Sequence, residues 1–154
     1  MFKRILVPID GSPTSELGLE TAIKMAKSGG ATLLLLQVVD ENVLIQTTDF
    51  GGASYLDELL ESLRKGGRKI LAKAAAKVEK QRVTFKSVLV ENLGHTVSDV
   101  IIDQARKLRA DTIVMGTHGR RGITRMVMGS DAEGVVRRAP VPVLLVRSNM
   151  RPRR

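Results

Sequence analysis

Five short apolar runs, each bounded by turn residues, set the rhythm of this chain. Ile5-Leu6-Val7-Pro8-Ile9 and Thr32-Leu33-Leu34-Leu35-Leu36-Gln37-Val38-Val39 are apolar at consecutive rather than alternate positions. That is the pattern of a strand covered on both faces, and it points to a parallel sheet. Phe85 to Val90, Thr112 to Met115 and Val141 to Arg147 supply three more runs. Pro140 and Pro142 place the last of them at a sheet edge or a strand start.

Helical periods fill the gaps. Leu19, Ala22, Ile23 and Ala26 recur at helical spacing, with Ser12 as the expected N-cap, Pro13 at the first helical position and Gly29-Gly30 as the stop. Leu56, Leu59, Leu60, Leu63, Ile70, Leu71, Ala74 and Val78 mark a long amphipathic helix. Gly66-Gly67 falls inside it at about 1 kcal/mol per glycine relative to alanine, which predicts a bend or a close backbone contact there. Thr96-Val97-Ser98-Asp99 has the form of a helix start, and Arg106, Lys107 and Arg109 suit the dipole at that helix's other end. Ser130 and Glu133 fit a capping box, with Ser130 as N-cap of a short helix that ends near Ala139-Pro140. Between Asp40 and Tyr55 no period is evident, and the stretch reads as a lid, a partner-contact loop or a plain surface excursion.

Strands alternating with helices give an α/β fold, a doubly wound five-stranded parallel sheet sandwiched by helices. Residues 1–147 form a single domain, and residues 148–154, with three arginines, a basic tail expected to be disordered. In such sheets ligands bind beyond the carboxyl ends of the strands, where the strand order reverses. Asp10, Val38 and Gly116 all fall at carboxyl ends, so distant segments are expected to share one crevice.

Composition narrows the chemistry. With 43% hydrophobic residues but three Phe, one Tyr and no Trp, the core is aliphatic. A net charge of +9 favours anionic ligands or simply a solvated basic surface. The absence of cysteine excludes disulfides and thiolate nucleophiles, and His95 and His118 alone are too few for a histidine-rich zinc site. No run approaches the roughly 20 apolar residues needed to cross a bilayer, and the first apolar run is cut at Pro8 and Asp10, too short for a signal-peptide core. A soluble cytoplasmic protein with no membrane partner is expected. For the arginine tail, a solvated terminus is favoured over nucleic-acid contact.

The candidate chemistry lies in Met115-Gly116-Thr117-His118-Gly119-Arg120-Arg121-Gly122 and in Gly129-Ser130. The glycines stand where a strand hands over to a helix, a junction suited to anions because backbone N–H groups and a helix N-terminus face the ligand. His118, Arg120, Arg121 and Arg125 add positive or potentially positive groups. No Gly-Lys pair occurs, so there is no Walker loop; no two glycines are two residues apart, so there is no dinucleotide fingerprint; Gly-x-Ser-x-Gly is absent as well.

What remains is Gly116-x2-Gly119-x9-Gly129-Ser130, with Asp10 ending the first strand. This spacing resembles the ATP-binding subgroup of the universal stress protein family. The likeness runs through Ile5 to Ser12, Ala110 to Arg120 and Ala139 to Val146, nearly the whole chain. It implies a homodimer formed largely through the last strand, Val141 to Val146, and ATP held at the loop. Carried over position by position, it puts Pro8 and Asp10 against adenine and ribose and Val38 or Val39 on the base. Met115, Gly116 and Gly119 would line the ribose and phosphate path, and Gly129, Ser130 and the Asp131 backbone would hold the outer phosphates. Any magnesium would be carried by the phosphates, with Asp10 as an outer-sphere partner.

Duller roles compete at each position. Asp10 also reads as a helix cap, Ser130 as only an N-cap, and Gly116 and Gly119 as turn residues. Two departures from the family pattern stand out: Asp131 where a small or apolar residue is usual, and Glu91 to Thr96 in place of the usual start to the third helix. Asp131 suits a helix dipole but repels a triphosphate if it faces inward. No general base and no dedicated metal cage are evident, so the expected function is an ATP-binding, stress-response switch with slow or no hydrolysis. The alternative is a dimeric interaction module of the same fold that binds no nucleotide.

Overall fold

Strands that are apolar at every position need helices on both sides of the sheet, and the chain provides them. The structure, a computed structural model, describes residues 1–45, 52–118 and 128–147. In chain order the elements are β1 (Arg4–Pro8), α1 (Pro13–Gly29), β2 (Thr32–Asp40), α2 (Asn42–Ile45), α3 (Ala53–Lys80), β3 (Phe85–Asn92), α4 (Val97–Lys107), β4 (Thr112–Gly116), α5 (Ser130–Arg138) and β5 (Val143–Val146). The five strands form one parallel sheet in the order β3-β2-β1-β4-β5. The order reverses between β1 and β4, and β5 lies at an edge, with Pro140 and Pro142 just before its first residue.

Side-chain parity splits the core in two. Ile5, Val7, Leu33 and Leu35 pack with Leu19 and Val78 under α1 and α3. Leu6, Leu34, Leu36 and Ile113 pack with Ile101 and Val135 under α4 and α5. Each fully buried aliphatic side chain of this kind is worth about 1.5–3 kcal/mol relative to exposure, so the sheet is held from both faces.

The helix ends follow from local chemistry. Ser12 is extended and its hydroxyl accepts from the Ser15 N–H, Pro13 opens α1, and Gly30 closes it at φ 63°, a left-handed conformation that glycine adopts without penalty. Thr96 caps α4 with a complete capping box, its side chain accepting from Asp99 N–H while Asp99 accepts from Thr96 N–H. Arg138 of α5 donates to Asp99 and, at 2.9 Å, to the Ser98 hydroxyl. Gly134 permits that approach, since a Cβ there would lie 2.9 Å from the Ser98 Cβ. α5 is thereby fastened to the start of α4.

The start of α5 departs from the sequence expectation. Gly129, not Ser130, is the N-cap, and Ser130 is the first helical residue. The Gly129 N–H donates to the Thr117 carbonyl at 2.8 Å, and the Glu133 N–H donates to the Gly129 carbonyl at 3.0 Å. A tertiary bond thus selects the cap one residue early, and the Ser130–Glu133 box does not form. α3 begins at Ala53, before its first leucine, and α2 occupies Asn42–Ile45 within the stretch that shows no period in sequence. Residues 46–51 of that stretch, and the basic tail 148–154, lie outside the described residues.

The two glycines inside α3 have different reasons. A Cβ on Gly67 would lie 2.8 Å from Val39 Cγ2, in a side chain that is buried and branched, so the close contact expected in the helix is at this residue. At Gly66 a Cβ would meet nothing within 4 Å. Gly66→Ala should therefore stabilise the fold by about 0.5–1 kcal/mol through helix propensity alone. Gly67→Ala should destabilise it, because overpacking of about 1–3 kcal/mol outweighs the same propensity gain. Urea unfolding midpoints that moved in the same direction for both variants would contradict this packing.

Asp99 gives a second test. Hydrogen bonds from the Thr96 hydroxyl first, and then from Arg138 and the Thr96 N–H, pull its carboxyl from the usual 3.8 down to about 2. A depressed carboxylate contributes stability that is present above its unfolded pKa and lost as pH falls through the folded one. Asp99→Asn should accordingly unfold at lower denaturant than wild type near neutral pH. That gap should close between about pH 3.8 and about 2, followed by circular dichroism.

Candidate functional site

At the reversal between β1 and β4, three strand ends come together because β1 lies between β2 and β4. Pro8 is in register with Leu36, and the Ile9 N–H donates to the Leu36 carbonyl at 2.7 Å, so Asp10 comes level with Val38, while β2 runs on beside β3 to Asp40. Asp10 and Val38 therefore stand at the same edge. Asp10, Val38 and Gly116 thus fall at the carboxyl ends of three adjacent strands.

Parity decides which side chains can face it. Met115 belongs to the cluster under α4 and α5 and Val38 packs against it, with Ile113 and Leu36 preceding them on the same face. Val39 points the other way, 3% exposed, against Gly67 of α3. Of the two valines offered by the sequence, Val38 shares a face with Met115 and with the start of α5. Val39 is a packing residue.

Asp10 sits half-buried just past β1. Its Oδ1 accepts from the Ser12 N–H at 2.8 Å, and its own N–H donates to the Ser15 hydroxyl at 3.1 Å. Ser12, not Asp10, caps α1. Asp10 instead braces the turn between β1 and the helix.

Gly116 answers to a neighbour within the protein. A Cβ there would lie 2.7 Å from the Thr14 carbonyl carbon and 2.8 Å from both the Thr14 carbonyl oxygen and its Oγ1. The glycine lets the first turn of α1 rest directly on the exit of β4. From that position the Thr14 hydroxyl donates to the His118 carbonyl, and the Ser12 hydroxyl approaches the same oxygen at 3.4 Å. Ser12, Thr14 and Ser15 are all buried although each carries a hydroxyl. Sequence reasoning used only Ser12, as a cap. The signal available was three hydroxyl residues within four positions, immediately after a strand-ending aspartate.

One residue further, Thr117 links three segments. Its N–H donates to the Val146 carbonyl at 2.9 Å and its carbonyl accepts from Gly129 at 2.8 Å. Its hydroxyl pairs with His118 Nδ1 at 2.9 Å, while His118 Nε2 is buried without a partner among the described residues. Through the Thr117 carbonyl, Gly116 and Gly129 are brought to the same place, although twelve residues separate them in the sequence. Ser130 is exposed at the first position of α5, and Asp131 is half-buried beside it. Gly119 and the basic residues Arg120, Arg121 and Arg125 fall outside the described residues.

The ends of β2 and β3 are joined by a polar knot. Asp40 Oδ1 accepts from the Asn42 side chain at 2.7 Å, and both Asn42 and Asn92 donate to the His95 carbonyl at 2.9 Å. Arg64 of α3 bridges Glu41 at 3.0 Å and Glu91 at 3.1 Å, and its hydrogen bond to Glu41 raises its pKa further. Glu91 to Thr96, the segment that departs from the family pattern, thus serves to join β3, β2 and α4. Among the described residues no group of three or more His, Asp or Glu side chains could hold a metal, and no helix is long and apolar enough to cross a membrane.

Comparison with known proteins agrees with this architecture. Universal stress protein MJ0531 of Methanocaldococcus jannaschii is 33% identical over 147 residues, covering 96% of this chain and 83% of its own length. Universal stress protein YxiE of Bacillus subtilis is 32% identical over 152 residues, covering 96% of this chain and all of its own. A solved universal stress family protein from Burkholderia pseudomallei superposes with a TM-score of 0.75 at 31% identity, over 95% of this chain and 96% of that one.

More distant structures share the fold, each over more than nine-tenths of both chains, and were solved with nucleotides. One from Archaeoglobus fulgidus is in complex with dAMP (23% identity, TM-score 0.67). A universal stress protein is in complex with cAMP (21%, 0.65), and an Arabidopsis thaliana family protein has AMP bound (16%, 0.68). The sequence profile of the universal stress protein family matches residues 1–147, the whole of the sheet and its helices, and the chain belongs to that family.

Proposed function

We propose that the crevice between β1 and β4 binds an adenine nucleotide, with ATP as the working ligand, and that the protein is a cytoplasmic, nucleotide-dependent stress-response switch with slow or no hydrolysis. The observation that carries this reading is the convergence of Asp10, Val38 and Met115 with the Gly116 exit and the Gly129–Ser130 helix start. Relatives of the same fold hold AMP, dAMP and cAMP, which supports an adenine nucleotide here.

In this reading Pro8 and Val38 face the base, Asp10 the ribose, and Met115 and Gly116 the path toward the phosphates. Gly129, Ser130 and the Asp131 backbone take the outer phosphates, where the N-terminus of α5 presents backbone N–H groups and the helix dipole favours negative charge. Gly119 belongs to the same set by its place in the motif. The donor set suits a nucleotide whose magnesium travels on its phosphates, with Asp10 reaching the ion through water. Association of two copies through the β5 edge fits the exposure of Leu144 and Val136 at that side of the sheet.

A second reading rests on Asp131. Its carboxylate, in the first turn of α5, satisfies the helix dipole without a ligand, and a protein so arranged serves as a dimeric interaction module of the same fold.

The two readings separate in one experiment. Freshly purified protein is denatured and the released small molecules are identified by mass spectrometry; ATP is then titrated into wild type, Ser130→Ala and Gly119→Ala. Ser130 is exposed and does not cap α5, so its alanine variant should unfold like wild type while binding ATP about tenfold more weakly, the weight of one charge-assisted hydrogen bond. No adenine nucleotide carried, and none bound at millimolar concentration, leaves the interaction module standing.

A further inference from the structure

We propose that Thr14 is a positioning residue for the phosphate end of the crevice, acting through the His118 carbonyl. The inference rests on the nucleotide reading above for its ligand but on independent geometry for its mechanism.

Thr14 is 8% exposed and lies in the first turn of α1, where a solvent-facing hydroxyl would cost nothing. Instead it is turned inward onto the exit of β4. Its single hydroxyl hydrogen goes to the His118 carbonyl, and that oxygen has room for a second donor in the Ser12 hydroxyl, 3.4 Å away. Ser12 Oγ and Thr14 Oγ1 are themselves 3.4 Å apart, so the two hydroxyls and the carbonyl form one buried polar cluster. Gly116 is the residue that admits this cluster, because any Cβ there would collide with the Thr14 backbone.

What the cluster holds is the His118 carbonyl, one peptide beyond the carbonyl of Thr117. The Thr117 carbonyl holds the N–H of Gly129, the cap of α5, and Thr117 N–H is tied to Val146. Position is therefore passed from Thr14 to His118, from Thr117 to Gly129, and from there to the first turn of α5. At its other end the same turn of α1 orients Asp10, through the Ser12 N–H and the Ser15 hydroxyl. One helical turn sets the distance between the nucleoside end and the phosphate end of the site. Thr14 touches no ligand in this scheme; it decides where the phosphate donors stand.

The substitution that isolates this role is Thr14→Val, which keeps shape and removes the hydroxyl, with Thr14→Ser as the variant that restores it. In ligand-free protein, amide hydrogen exchange at Gly129 reports the Thr117 to Gly129 bond directly. Thr14→Val should speed that exchange about tenfold relative to α1 amides, and Thr14→Ser should not, since loss of one buried hydrogen bond is worth about a decade. In binding, Thr14→Val should weaken ATP about tenfold while leaving adenosine unchanged, and Thr14→Ser should recover ATP.

Unchanged Gly129 exchange in folded Thr14→Val overturns the proposal, and so does equal weakening of ATP and adenosine. If wild type binds neither ligand, the nucleotide reading falls, and the exchange at Gly129 alone decides whether Thr14 positions the start of α5.

Discussion

The approach of Thr14 to Gly116 is the contact on which the exit of β4 depends. A helix entering the switch point of a doubly wound sheet normally stands off by the thickness of a side chain. Here a bare Cα at Gly116 lets the α1 backbone come in until a Cβ would lie 2.7 Å away, and a Cβ on Gly18, one turn along α1, would lie 3.4 Å from the Gly116 N and the Met115 carbonyl carbon. With the helix that close, hydroxyls from its first turn reach the carbonyl of His118. The β4 exit then needs no side chain of its own to define it. Backbone N–H and C=O groups at such a junction are obligatory bonding groups, and here β5, α5 and α1 each satisfy one of them.

The sheet imposes the second constraint. Successive strand residues face opposite layers, so a crevice on the α4 and α5 side can draw only on every second position. Val38 and Met115 meet that condition, and Leu36 and Ile113 show which cluster they join. Val39 and Gln37 serve the α3 side, where Gly67 has been reduced to a hydrogen to admit them. A run of consecutive apolar residues announces a buried strand but carries no period from which to assign faces. This is why sequence alone left Val38 and Val39 as equals, while the register of β1 and β2 separates them.

Other features divide along the same line between local and tertiary causes. The Ser12 cap, the Pro13 start, the Gly30 stop and the Thr96–Asp99 box depend on residues within four positions of one another, and all were legible in the sequence. The start of α5 was not, because the choice between Gly129 and Ser130 is made by a carbonyl that belongs to Thr117. Gly116 was legible as a required glycine, though its nearest neighbour is α1 of the same chain. Thr14 was illegible for the opposite reason: in a helix's first turn a threonine is ordinary, and only the fold turns it inward.

Asp131 can be weighed by magnitude. Two unit charges about 8 Å apart at an effective dielectric near 20 repel by about 2 kcal/mol, roughly thirtyfold in affinity. The N-terminus of a helix returns about 0.3–1 kcal/mol for a negative group at its first turn, and that return is already taken by Asp131. Together these terms weaken a phosphate at the Gly129–Ser130 start by an amount that a single positive charge at the same distance would offset. The acidic residue therefore sets the strength of the proposed site, and the backbone geometry fixed by Gly116 and Thr14 sets its place.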